Sequence, residues 1–146
     1  MTPAATTDLR HALGAVPRAF DVVTVEGPDA FTYLQGQLSQ ELSSLDLGVS
    51  APALLLQPTG KLTAWLRVVR TADERFELVV EEGSGDDVLA RLTRFKLRTA
   101  ADLRLERRPG VALRGPGAAG VPAPAGVLAV DAGWPGTDGI DWIASD

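Results

Sequence analysis

Residues 58–82 read PTGKLTAWLRVVRTADERFELVVEE, and the period of this stretch decides the fold. Leu62, Ala64, Leu66 and Val68 fall on one side of an extended chain, with Lys61, Thr63, Trp65, Arg67 and Val69 on the other. Ala72-Asp73-Glu74-Arg75 is a turn, and RFELVVEE after it reads as the returning strand. Pro58-Thr59-Gly60-Lys61 makes an equivalent turn upstream, preceded by the apolar run APALLLQ at 51–57. The three strands form an antiparallel meander.

Working outward, FDVVTVEG at 20–27 is β-branched and ends at Gly27-Pro28, a strand closed by a turn. A helix is expected from about Asp29, because Ala30, Phe31, Leu34 and Leu38 keep helical spacing. Gly36 weakens that helix by about 1 kcal/mol relative to alanine. Ser39 offers a cap for a second short helix, QELSSL at 40–45, ended by Gly48. Beyond the meander, a helix starts near Ser84. Asp86 and Asp87 suit its positive end, and Arg91, Arg94, Lys96 and Arg98 suit its C-terminal half. Val88, Leu92 and Phe95 mark its buried stripe, and the strand ADLRLERR follows at 101–108. The order strand, helix, three strands, helix, strand predicts an α+β fold of the split βαβ sort, a mainly antiparallel sheet with two main helices on one face.

Three regions are expected. Residues 1–18 form an N-terminal arm, and 19–108 form the α+β domain. Residues 109–146 hold eight glycines and five prolines, so they are expected to make only a small β-hairpin appendage of short strands: GVALRG, GVLAVDA and DWIASD. The apolar DWIA stops close to the end of the sequence with nothing after it to pair with, so the segment reads as the start of a missing second domain.

Composition narrows the function classes. With 45% hydrophobic and 23% charged residues the chain has the make-up of an ordinary globular protein. A net charge of -5 lacks the basic footprint of a nucleic-acid binder, so no direct nucleic-acid partner is expected. Cysteine is absent, which removes disulfides and thiolate chemistry within the chain, and the single histidine, His11, reads as exposed. No apolar run reaches the roughly 18 residues of a membrane span, no signal peptide is visible, and the expected location is the cytoplasm without a membrane partner. No phosphate loop, zinc spacing or Ser/His/Asp set is present, and the pairs Glu81/Glu82 and Asp86/Asp87 read as solvated charge.

Within YLQGQLSQEL at 33–42, leucines four apart give a core stripe while Gln35, Gly36 and Gln37 interrupt it. Two readings stay open: a helix kink with exposed amides, or an amide and backbone surface facing a polar, planar ligand.

VEGPDAFTYLQGQLSQELSSLDLG, LLLQPTGKLTAWLRVVR, FELVV and RLTRFKLR, in this order and spacing over residues 19–108, resemble the N-terminal half of the YgfZ/GcvT folate-binding family. That family contains the glycine-cleavage aminomethyltransferase, or T-protein, and relatives that do not cleave glycine. The resemblance implies a tetrahydrofolate cofactor. It implies a pterin lying against Phe20, with Gln35, Gly36 and Gln37 reading its edge, Lys61 meeting a folate glutamate carboxylate, and Trp65 as a ligand wall. The arginine run of the second helix could likewise meet the glutamate tail. For Phe20 and Trp65 a packing role, and for Lys61 a plain turn cation, stand as alternatives.

The aminomethyltransferases carry an acidic pair where this sequence has Ala64 and Trp65, so the resemblance leans away from an enzyme and towards the YgfZ branch. Those proteins support the upkeep of iron–sulfur proteins, including ones that modify tRNA, which makes iron–sulfur clients the implied partners. The branch continues into a half with a Lys-Gly-Cys-Tyr signature that is not in this sequence, so the chain is expected to be the N-terminal part of such a protein. Two alternatives remain: a folate-dependent aminomethyltransferase, and an interaction module that self-associates or pairs with a missing C-terminal half through the DWIA edge.

Overall fold

A computed structural model describes residues 11–145. The chain divides into two compact units, one spanning Phe20–Arg108 and the other joining the residues up to Ala19 with those from Pro109 onward. The architecture is α+β, a mainly antiparallel sheet with two helices.

The Phe20–Arg108 unit begins within strand β1 (Gly14–Glu26) and continues through helix α1 (Ala30–Gln37) to strands β2 (Ser50–Leu56), β3 (Leu62–Ala72) and β4 (Arg75–Glu81). Helix α2 (Gly85–Phe95) and the first half of β5 (Asp102–Arg114) complete it. The meander forms as its alternation requires: β2 pairs with β3 from Ser50↔Val69 to Leu56↔Leu62, and β3 with β4 from Arg67↔Val79 to Ala72↔Arg75. β1 then adds to β4, from Phe20↔Glu81 to Glu26↔Arg75.

One face of this sheet carries the core. Val23 and Val25 of β1, Ala53 and Leu55 of β2, Ala64, Leu66 and Val68 of β3, and Phe76, Leu78 and Val80 of β4 pack there. Ala30, Tyr33 and Leu34 of α1 and Val88 and Leu92 of α2 join the same cluster. Fully burying a side chain of this size contributes about 1.5–3 kcal/mol, so the helices are held mainly by this stripe.

The link from β1 to α1 needs its glycine. Gly27 has φ +147°, and a Cβ there would stand 2.4 Å from the Ala100 carbonyl oxygen. Asp29 follows, its carboxylate accepting from the Ala100 amide at 2.8 Å rather than capping α1.

The expected second helix at 40–45 does not form. After α1 the chain runs beside β2 instead: Leu38 bridges Leu55, the Ser39 amide donates to the Leu54 carbonyl at 3.1 Å, and the Ser39 hydroxyl accepts from the Leu54 amide at 2.8 Å. Ser39 thus satisfies a strand edge, which in water would be an exposed ladder. Leu38, Leu42 and Leu45 are core residues all the same.

The other unit holds the second half of β5, β6 (Val127–Asp131) and β7 (Gly139–Ala144). Three expectations are corrected here. Residues 14–18, expected in an arm, belong to β1, while 1–10 lie outside the described residues. GVALRG is no separate strand, because β5 runs on through Pro109 to Arg114. DWIA is no open edge: β7 pairs with β5 from Gly110↔Ile143 to Arg114↔Gly139, and with β6 from Val127↔Ala144 to Asp131↔Ile140. Its alternating Ile and Trp serve a strand paired on both sides. Arg114 closes the pairing with an ion pair to the buried Asp141 at 2.8 Å.

Candidate functional site

The six sequence-derived site residues fall in three places. Ala53 and Leu66 of the β2–β3 ladder point into the core, so their neighbours Leu54 and Trp65, paired with each other, occupy the opposite face of the sheet. Phe20 lies on that same face, because Val23 and Val25 are on the core side. The two aromatics differ in access. Trp65 is 36% exposed, and its apolar neighbours Leu54 and Leu56 are exposed to a similar extent, whereas Phe20 is only 1% exposed. The Arg67 guanidinium lies 5.9 Å from the Trp65 ring centroid. This face is therefore an aromatic and aliphatic wall beside a cation, suited to a flat, electron-rich ligand.

This face is also charged well inside. Glu77 of β4 pairs with Arg108 of β5 at 2.9 Å, both nearly fully buried, and with Arg75 at 3.2 Å. Glu106 joins through Arg108 at 3.2 Å and Arg104 at 2.6 Å.

Gln35, Gly36 and Gln37 stand elsewhere, in the last turn of α1, which runs through them unbroken. The Gln35 side-chain oxygen accepts from the Leu42 amide at 2.8 Å, fixing the turn after the helix. The Gln37 oxygen accepts from Arg91 of α2 at 3.0 Å. Gly36 has nothing within 4 Å of the place a Cβ would take, so neither packing nor backbone angle demands glycine there. Lys61 is exposed in the β2–β3 turn, its carbonyl accepting from the Gln57 amide at 2.7 Å. Phe20 and Trp65 share a face, the two glutamines share a helix end, and Lys61 belongs to a hairpin tip.

The residues that converge most closely surround α2. A cavity of about 420 Å³ is lined by Gln57, Leu62, Thr63, Asp87, Arg91 and Arg94, with Ala90 between them on the helix. None of the six expected site residues lines it, although Gln37 reaches it through Arg91. The spacing of Asp87, Arg91 and Arg94, four and seven residues along one helix, was the available signal. A second cavity of about 360 Å³, lined by Thr24, Glu26, Gly27, Glu74, Asp102 and Arg104, carries mainly carboxylates.

Two contacts set the position of α2. Asp21 of β1, 7% exposed, accepts from the amides of Gly83 and Gly85 at 2.9 Å each with one carboxylate oxygen. Ser84, the residue at the N-cap position, makes no side-chain cap, so Asp21 caps the helix from 64 residues away. A Cβ on Gly85 would stand 2.5 Å from Leu105 and 2.8 Å from Asp21, which keeps this approach free of side chain. At the other end the Tyr33 hydroxyl of α1 donates to the Leu92 carbonyl. Burial raises the Tyr33 pKa above its ordinary 10.0, and the Arg91 charge opposes this.

Among the described residues no group of three or more Asp, Glu or His could hold a metal ion, and no helix is long and apolar enough to cross a membrane.

No protein-family model matches the sequence. An uncharacterized protein of Haemophilus influenzae is 33% identical over 88 residues, which are 58% of this chain and 31% of that protein. Among solved structures, the glycine cleavage system aminomethyltransferase T of Bartonella henselae matches with a TM-score of 0.80 at 23% identity, over 93% of this chain and 43% of that one. The chain thus spans under half the length of either. The fold is that of the aminomethyltransferase T, in its part that the chain covers.

Proposed function

We propose that the chain is the tetrahydrofolate-binding part of a YgfZ-type accessory protein, one that supports the upkeep of iron–sulfur proteins rather than transferring aminomethyl groups. The observation that carries this reading is Trp65, half-exposed on the sheet face turned away from the helices, with Ala64 beside it in the core. Moving an aminomethyl group builds positive charge on an amine, which a carboxylate stabilises and an indole or methyl group does not. An indole instead offers a stacking surface for a pterin, and Leu54, paired with it, extends that surface. Phe20 would bound the same ligand only if its covered ring were opened. Gln35, Gly36 and Gln37 belong to a separate surface, and Lys61, exposed at the hairpin tip, would meet the ligand's carboxylate end. The fold shared with the aminomethyltransferase T supports a folate as the ligand class.

Calorimetric titration with tetrahydrofolate tests the reading. We expect saturable binding that falls by about tenfold in Trp65→Ala, the loss of one stacking surface at roughly 1.4 kcal/mol. Absence of binding at about 1 mM ligand sinks the reading for this chain.

The transferase reading is favoured by the fold neighbour's own activity. It requires formation of methylene-tetrahydrofolate from an aminomethyl donor, and turnover by this chain would replace the accessory role with it.

A further inference from the structure

The α2 cavity has chemistry of its own, on the helix side of the molecule's larger unit and apart from the Trp65 wall. Arg91 is held in place from three directions: its Nε donates to the Leu56 carbonyl at 3.0 Å, its Nη1 donates to Gln37 at 3.0 Å, and its guanidinium lies 4.3 Å from the Phe95 ring centroid. A guanidinium fixed this way loses little entropy when it takes a further acceptor. Arg94, one turn on, has no carboxylate partner among the described residues and rests only against Phe95 at 5.6 Å. Across the cavity the Thr63 hydroxyl is buried with no hydrogen-bond partner. A buried hydroxyl left so costs free energy that a ligand acceptor would recover. Two cationic donors thus face the cavity, and Thr63 forms part of its wall.

The charge balance sets the ligand class. Asp87 also lines the cavity without an ion-pair partner among the described residues, so the lining carries two positive charges and one negative. A dianion such as phosphate would meet Asp87 repulsion, whereas a single carboxylate fits the arginine pair. An ammonium on the same ligand would have Asp87 to meet.

We infer that the cavity between α2 and the β2–β3 hairpin is a carboxylate-binding site, with Arg91 and Arg94 as the charged donors and Thr63 in its wall. The carboxylate has two sources, a free amino acid or the glutamate tail of a folate, and the second rests on the function proposed above.

The test is a nuclear magnetic resonance titration of the whole chain with L-glutamate, inorganic phosphate, tetrahydrofolate and 6-methyltetrahydropterin, which lacks the tail. Saturable shifts at Thr63, Arg94 and the Arg91 side chain with L-glutamate, and weaker ones with phosphate, are expected. Arg94→Gln, at an exposed position, should weaken L-glutamate binding by about tenfold, the loss of one charge-assisted hydrogen bond, and Thr63→Val should weaken it less. If the tail is the source, Arg94→Gln also weakens tetrahydrofolate and leaves 6-methyltetrahydropterin unchanged; if a free amino acid is, both pterins bind the variant as they bind the wild type. Equal responses to phosphate and L-glutamate, or L-glutamate binding that ignores Arg94→Gln, overturn the site. Loss of pterin binding alone would count against the folate reading and leave the cavity assignment standing.

Discussion

Replacing Asp21 tests how α2, and with it the carboxylate cavity, is held. Both hydrogen bonds from Gly83 and Gly85 end on the same carboxylate oxygen at 2.9 Å. Asp21→Asn keeps an oxygen there and removes only the charge from the positive end of a helix, a cost of about 1 kcal/mol. Asp21→Ala removes the acceptor. The Gly85 donor is then buried without a partner, at about 1–3 kcal/mol, while Gly83, partly buried, regains some water. With the charge term included, Asp21→Ala should cost about 3 kcal/mol. Urea unfolding followed by circular dichroism measures both, and amide exchange at Gly83 and Gly85 localises the loss. An alanine variant within about 0.5 kcal/mol of wild type, the range of surface substitutions, would refute the cap. So would an asparagine variant as damaged as the alanine one.

Tyr33 is the only tyrosine, so phenolate absorbance reports it alone. Its folded pKa is raised by burial, so the folded state holds the proton more tightly than the unfolded chain does. Its stability contribution is whole below the ordinary 10.0 and is lost as pH rises through the folded value, so urea midpoints should fall above that pH and Tyr33→Phe should flatten the fall. At neutral pH Tyr33→Phe should cost about 1 kcal/mol, the hydrogen bond to Leu92. On the other sheet face, Glu77→Met should cost up to about 3–5 kcal/mol by removing the buried partner of Arg108, less where Glu106 at 3.2 Å compensates, with the double variant Glu77→Met/Arg108→Met recovering most of it in the same urea assay.

The core face was legible because it obeys one rule: every second residue of 64–68 enters it, and the helices answer with their own stripes. Position 39 failed because Ser39 has the same hydroxyl whether it caps a helix or pairs with a strand edge, and only the approach of β2 decides. The caps lay beyond local reading: Ser84 and Asp29 occupy N-cap positions and neither caps by its side chain, while Asp21 and the Ala100 amide supply partners from far along the chain. Local signals located the helix starts without showing the groups that stabilise them. DWIA misled because a strand with nothing after it in sequence can still have a neighbour on each side in space.

The candidate site was harder to read, because the face opposite the core breaks the expectation that polar means solvated. Arg67, Glu77 and Arg108 alternate with core residues as surface charges would, yet each is buried, and Glu77 and Arg108 neutralise each other there. On the same face Trp65 and Leu54 are apolar and open. The polarity is inverted relative to a solvent-facing sheet: charges inside, an indole and leucines outside. Water is a poor partner for the exposed carbon, which a flat, partly apolar ligand would cover by stacking, while the Arg67 guanidinium, 5.9 Å from the indole, is buried with the other charges. A sequence gives the alternation; only the pairing of Leu54 with Trp65 and of Phe20 with Glu81 reveals which half of it faces away from the core.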